Sequence, residues 1–120
     1  MTKPQNLFVY GTLRDPALVK ELTGRSFDTE EAWLLDHERR QLPHTYPFVV
    51  PAPGHRVRGL LLRNVDSAAL AALDRYECEG VLYARVRARV KTRHGIEDAY
   101  VYVARGDALP YCEPNSSTRP

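Results

Sequence analysis

Leu7-Phe8-Val9-Tyr10-Gly11-Thr12-Leu13-Arg14 is the stretch on which the fold turns. Its apolar, aromatic and β-branched start reads as a short strand. Alternation sets Phe8 and Tyr10 on one face, Leu7 and Val9 on the other. Both faces are apolar, so the strand is expected to be covered on both sides and central in its sheet. Gly11 then breaks it, a residue free to take backbone angles that others avoid. Asp15-Pro16 follows, an N-cap residue with proline at the first helical position. A strand–glycine–helix junction of this kind points backbone N–H groups outward, where they can hold a carboxylate or a phosphate. Many such junctions are only tight connections. One glycine is too few for a dinucleotide fingerprint, and no Gly-Lys-Ser/Thr follows, as a P-loop would require.

The rest of the chain limits what this junction can serve. Its 120 residues fit one domain, and a 43% apolar content allows a sizeable core. We take residues 1–105 as that domain and residues 106–120 as a polar, proline-rich tail. No apolar run approaches the roughly 20 residues of a membrane span. The first six residues are polar, without the apolar segment of a signal peptide, so a cytoplasmic protein is expected. A net charge of +2 gives no argument for nucleic acid. Cys78 and Cys112 lack metal-type spacing and read as free thiols. His37, His44, His55 and His94 show no close ligand pair, which leaves a metal site to chance convergence in space.

Downstream, a short helix is expected over about Asp15 to Leu22, with Gly24 as its C-terminal stop. Ala32 to Leu42 reads as extended, although Glu30 to Arg40 also accommodates a helix. Pro43, Pro47, Pro51 and Pro53 break the chain, leaving Tyr46–Val50 as an edge or irregular strand and Pro53-Gly54-His55 as a turn. Val57 to Val65 is a strand in which Gly59 marks a bulge or the close approach of another group. Asp66 caps a helix from Ser67 through the alanine and leucine run. Tyr83 to Lys91 alternates Ala84, Val86, Ala88 and Val90 against Tyr83, Arg85, Arg87, Arg89 and Lys91. Such a basic row is usually the solvated face of an antiparallel strand rather than a nucleic-acid stripe. His94-Gly95 turns into a last strand, Glu97 to Ala104, with Tyr100 and Tyr102 on one face. The order lacks regular βα alternation, so an α+β fold is expected: a mixed, mostly antiparallel sheet curled into a small barrel, with two main flanking helices.

One acidic residue falls where an apolar one belongs. At about 100° per residue, Leu70 and Leu73 define the buried stripe of the second helix, and Glu77 falls between them in angle. A carboxylate there either escapes to water at the helix end or lines a cavity. In a cavity, desolvation would raise its pKa and suit it to general-base work. Asp74, on the shoulder of the stripe, and Glu79, beyond the helix, are its competitors.

Tyr10-Gly11-Thr12-Leu13 after an apolar strand, Leu73-Asp74-Arg75-Tyr76-Glu77, Tyr83-x-Arg85 and a closing Val101-Tyr102-Val103 together resemble the γ-glutamylcyclotransferase-like (AIG2-like) family. The resemblance runs from about Leu7 to Ala104. It implies an enzyme of acyltransferase or lyase type, acting on γ-glutamyl amines or γ-glutamyl amino acids. The substrate's α-amine attacks its own γ-carbonyl and releases 5-oxoproline. Glu77 matches the family's acid/base, and Tyr10, Gly11, Thr12 and Leu13 match the loop that lines the pocket with N–H groups. Tyr83, Arg85 and Tyr102 are further candidates for holding substrate. No metal or organic cofactor is implied, and no nucleic-acid or membrane partner; the protein would work as a monomer or homodimer. Relatives carry glycine directly after the glutamate, where this chain has Cys78, with glycine only at Gly80. Cys78 reads as a packed thiol, because no histidine lies near it in sequence.

Overall fold

Strand β1 (Gln5–Val9) is followed by a 3-10 turn (Thr12–Arg14) and helix α1 (Pro16–Thr23). Then come strands β2 (Thr29–Arg40) and β3 (Phe48–Val65), helix α2 (Ser67–Tyr76) and strands β4 (Tyr83–Thr92) and β5 (Gly95–Ala104). The structure is a computed structural model and describes residues 5–41, 48–77 and 83–104. Cys78, Glu79, Gly80, His44, Cys112 and the expected tail lie outside the described residues.

The strands close into a barrel in the order β1-β3-β2-β4-β5, with β5 returning to β1. Every pairing is antiparallel except that closing one, where Leu7 faces Tyr100 and Phe8 faces Val101. β1 is therefore paired on both sides, as its two apolar faces predict. Those faces feed different cores. Phe8 and Tyr10 join Leu34, Leu61, Val90 and Val101 in a cluster that, apart from Tyr10 just past β1, is built of strand residues, inside the barrel. Leu7 and Val9 join Val19, Leu70 and Leu73 in the layer between barrel and helices.

Local chemistry explains the helix ends. The Asp15 carboxylate accepts from the Ala17 amide, Pro16 opens α1, and Gly24 closes it at φ 75°. The Asp66 carboxylate accepts from the Ala69 amide at 2.8 Å and opens α2. Gly59 is a close-approach glycine. A Cβ there would stand 2.4 Å from the Val9 carbonyl oxygen and 2.6 Å from Phe8 Cζ, so any side chain would push β1 off β3.

Among the described residues Phe48–Val50 is a strand paired with β2 alone, and it is continuous with the strand that follows, because Pro53-Gly54-His55 does not end a strand as the expected turn would. The ladder runs from Arg40↔Phe48 to His37↔Pro51 and resumes at Leu35↔Arg56. Asp36 alone stands opposite residues 52–55, a bulge that absorbs the extra length. Asp36 at φ 58° and Gly54 at φ 84° carry the bend, and the Gly54 amide donates to Asp36 Oδ1 at 3.1 Å. Pro51 keeps its register opposite His37 and Pro53 falls within the bulge, so β3 passes through both. β2 is a strand throughout, and the helical alternative for Glu30 to Arg40 is not taken.

Candidate active site

The junction after β1 differs in detail from the expected turn. Gly11 has φ −121° and ψ −134°, so the left-handed region is not used. A 3-10 turn intervenes before α1, formed by Arg14 N–H donating to the Gly11 carbonyl and Asp15 N–H to that of Thr12, both at 3.1 Å. Asp15 supplies its own carboxylate to the start of α1, so an anion finds that position taken. The amides that precede the turn's own ladder are those of Gly11, Thr12 and Leu13. The Leu13 side chain is buried and anchors the turn in the core. The Thr12 hydroxyl shares a hydrogen bond of 3.1 Å with the Tyr76 hydroxyl, tying the loop to the end of α2.

Glu77 is the residue after that tyrosine. Its amide still donates to the Leu73 carbonyl at 3.0 Å, so helical phase holds to this point although α2 ends at Tyr76. Glu77 thus stands at the helix end, half-buried there. Burial alone pushes its carboxyl up to about 7, and among the described residues no charge or donor offsets that push. The charge of Glu77 is felt at Tyr10 and Tyr102. Burial raises both phenols well above their ordinary value, and the charge of Glu77 adds to each. Tyr83 adds to the shift of Tyr10 and so stands close to it, while the Val49 backbone amide and Arg39 work the other way.

Tyr102 joins the two halves of this group. Its carbonyl accepts from the Tyr10 hydroxyl at 2.8 Å. Its own hydroxyl donates to Asp74 Oδ1 at 2.6 Å. Arg85 holds the same carboxylate by two bonds, Nε to Oδ1 at 2.9 Å and a terminal nitrogen to Oδ2 at 3.1 Å. The guanidinium also lies 4.5 Å over the Tyr100 ring. Arg85 is therefore engaged with Asp74, neither simply solvated nor turned toward an open pocket. Sequence reasoning reached Asp74 only as a rival base. Its place one turn before Glu77 was the available signal, but the cross-sheet partner that gives it meaning was not visible. Two more of the basic row are engaged: Arg87 bonds Gln5 and lies over Tyr100, and Arg89 pairs with Asp36, while Lys91 is exposed.

Beside the loop lies a cleft of about 640 Å³, lined by Gly11, Thr12, Arg14, Asp15, Glu31, Arg58, Gly59 and Leu60. Glu77 is not among its walls. Among the described residues no cluster of three metal-ligating side chains occurs. No helix among them is long and apolar enough to cross a membrane.

A family model described as gamma-glutamyl cyclotransferase, AIG2-like, matches residues 7–118. The chain belongs to the γ-glutamyl cyclotransferase, AIG2-like family. Among its relatives, Protein AIG2 C of Arabidopsis thaliana is 32% identical over 113 residues, covering 90% of this chain and 67% of that protein. AIG2-like protein A of the same plant is 30% identical over 115 residues, covering 92% and 68%. The chain thus spans about two thirds of the length of these relatives. A solution structure from Arabidopsis thaliana superposes with a TM-score of 0.79 at 25% identity, over 98% of this chain and 81% of that one. A structure titled gamma-glutamyl cyclotransferase superposes with a TM-score of 0.69 at 17% identity, over 84% and 66%, a likeness of fold. These matches bear out both the family read from the two motifs and the α+β barrel.

Proposed function

We propose that the protein is a γ-glutamyl cyclotransferase that releases 5-oxoproline from γ-glutamyl amines or γ-glutamyl amino acids. The observation that carries this reading is Glu77 at the end of α2, beside the Tyr76 hydroxyl bonded to Thr12 of the loop, with burial raising its carboxyl to about 7. The substrate's α-amine must lose a proton to attack, and Glu77 takes it. A carbon–nitrogen bond forms between that amine and the γ-carbon, and the carbonyl oxygen becomes negative. Amides of the Gly11–Leu13 segment are suited to that oxyanion. The original amide bond then breaks, and Glu77 returns its proton to the departing nitrogen. A carboxyl with a pKa near the working pH serves both transfers. Tyr83 and Tyr102 flank the amine in this reading. Arg85, bidentate on Asp74, holds the carboxylate that accepts from Tyr102 and remains a candidate for the substrate's carboxylate. The reaction as written needs no cofactor.

The alternative is a pocket on the same fold that binds a small carboxylate or amine without turnover. A panel of γ-glutamyl amino acids and γ-glutamylamines, assayed for 5-oxoproline, separates the two. Release from at least one member supports the enzyme. Saturable binding with no product from any member leaves the binding module.

A further inference from the structure

We propose that the cleft beside the loop is the subsite for the part of the substrate that leaves, and that Arg14 in its wall selects an amino acid there over a simple amine by pairing with its carboxylate. This rests on the cyclotransferase reading, and it decides between the two substrate classes that reading allows. One feature separates those classes. An amino acid joined through its nitrogen keeps a carboxylate, and a simple amine has none.

Four charged side chains line the cleft, and three of them are committed. Arg58 bonds Glu31 across the β2–β3 ladder, with Nε on Oε2 at 2.7 Å and a terminal nitrogen on the same oxygen. Asp15 turns Oδ1 to the Ala17 amide at 3.0 Å, where it caps α1. Arg14 differs. Its Nε donates to the Gly11 carbonyl at 3.2 Å, and among the described residues its two terminal nitrogens have no partner. A loose surface arginine gives up rotamer freedom when it holds a ligand. Arg14 is already tied to the loop through Nε, and its outer edge presents the paired N–H groups that match a carboxylate.

Gly11 and Thr12 belong both to the cleft wall and to the segment whose amides suit the oxyanion. Thr12 also bonds the hydroxyl of Tyr76, the residue before Glu77. In a γ-glutamyl amino acid the leaving carboxylate carbon lies three bonds from the reacting carbonyl carbon, within about 4 Å. Its partner must therefore stand at the loop itself, and Arg14 is bonded to a carbonyl of that loop. Gly59 and Leu60 add uncharged surface, and a volume of about 640 Å³ leaves room for the amino acid's side chain.

γ-Glutamylalanine and γ-glutamylethylamine differ only in this carboxylate. Titration calorimetry on Glu77→Gln gives their dissociation constants without turnover. γ-Glutamylalanine should bind at least about tenfold more tightly, as a charge-assisted pair of bonds allows. In Glu77→Gln/Arg14→Gln that ratio should fall to about twofold or less. A ratio near one before Arg14 is changed would overturn the proposal. So would a ratio that survives Arg14→Gln, including the case where both compounds weaken together, since Arg14 would then only hold the loop. Absence of binding of either compound at millimolar concentration would overturn it as well. The cyclotransferase reading fails separately: the parent would then bind γ-glutamylalanine selectively through Arg14 and release no 5-oxoproline from either compound.

Discussion

Replacing Glu77 by glutamine should stabilise the fold, and only at high pH. The ordinary glutamate value is 4.5 and the folded value is about 7, with burial as the cause. The folded state therefore binds this proton more tightly than the unfolded chain does. Stability on this account is greatest below 4.5, declines as pH rises from 4.5 to about 7, and is level above that. At about 1.4 kcal/mol per pH unit, the full shift corresponds to roughly 3 kcal/mol. Glu77 is half-buried, and solvent screening trims this to about 1–2 kcal/mol. Glutamine has the same shape and no charge to desolvate. Urea unfolding can be followed through the single tryptophan, Trp33, whose indole lies on β2 under the Arg56 guanidinium at 4.2 Å. Glu77→Gln should match the unmodified protein near pH 4 and exceed it by about 1–2 kcal/mol near pH 8.5. An equal effect at both pH values would mean that the carboxyl is solvated. A variant less stable than the parent at the higher pH would mean that a donor holds the ionised form. Either result would refute the desolvated base.

Three further outcomes are expected. Gly59→Ala should cost about 2–3 kcal/mol in the same urea assay, because its Cβ meets the Val9 carbonyl and the Phe8 ring at distances no side chain adopts. Arg63→Met leaves the carboxylates of Glu30 and Glu97 facing each other without the guanidinium that bonds both, at 2.9 Å and 2.8 Å, and should cost about 2–3 kcal/mol at neutral pH. The same arginine holds Glu97 down to about 2, a contribution present above the ordinary 4.5 and lost as pH falls through about 2, so the penalty should shrink in strong acid. Tyr76→Phe removes the exposed bond to Thr12 and should change stability by less than about 1 kcal/mol, yet lower 5-oxoproline turnover by about tenfold through a loosened loop.

The parts of the fold that local rules govern were legible in the chain. Alternation in Leu7–Tyr10 assigns each side chain to the core it enters, and Asp15, Pro16, Gly24 and Asp66 mark helix ends through capping chemistry. Gly59 announced a close neighbour, which proved to be the backbone of β1. What was not legible depends on partners distant in sequence. Pro51, Pro53 and Gly54 carry the chemistry of a break, and only Asp36 across the ladder, bonded to the Gly54 amide, shows that they form a bulge within one strand. The parallel seam between β1 and β5 has no local signature. In the site, helical phase brought Glu77 forward, because 3.6-residue periodicity is a local property. The ion pair of Arg85 was not legible because its partner Asp74 lies on α2, and neither residue's own strand or helix reveals the bond. The 3-10 turn at Thr12–Arg14 escaped notice because the Asp15-Pro16 start signal describes α1 alone.

The central claim is that Glu77 moves the protons of an internal cyclisation. Release of 5-oxoproline from an accepted γ-glutamyl substrate should be compared between the unmodified protein and Glu77→Gln, with folding of the variant verified by its urea transition. The account predicts steady release by the parent, with kcat/KM rising through an acid limb near 7, and a loss of at least about 100-fold in the variant, the low end of what general acid–base catalysis contributes. A folded Glu77→Gln protein that releases 5-oxoproline at the parent's rate would contradict it.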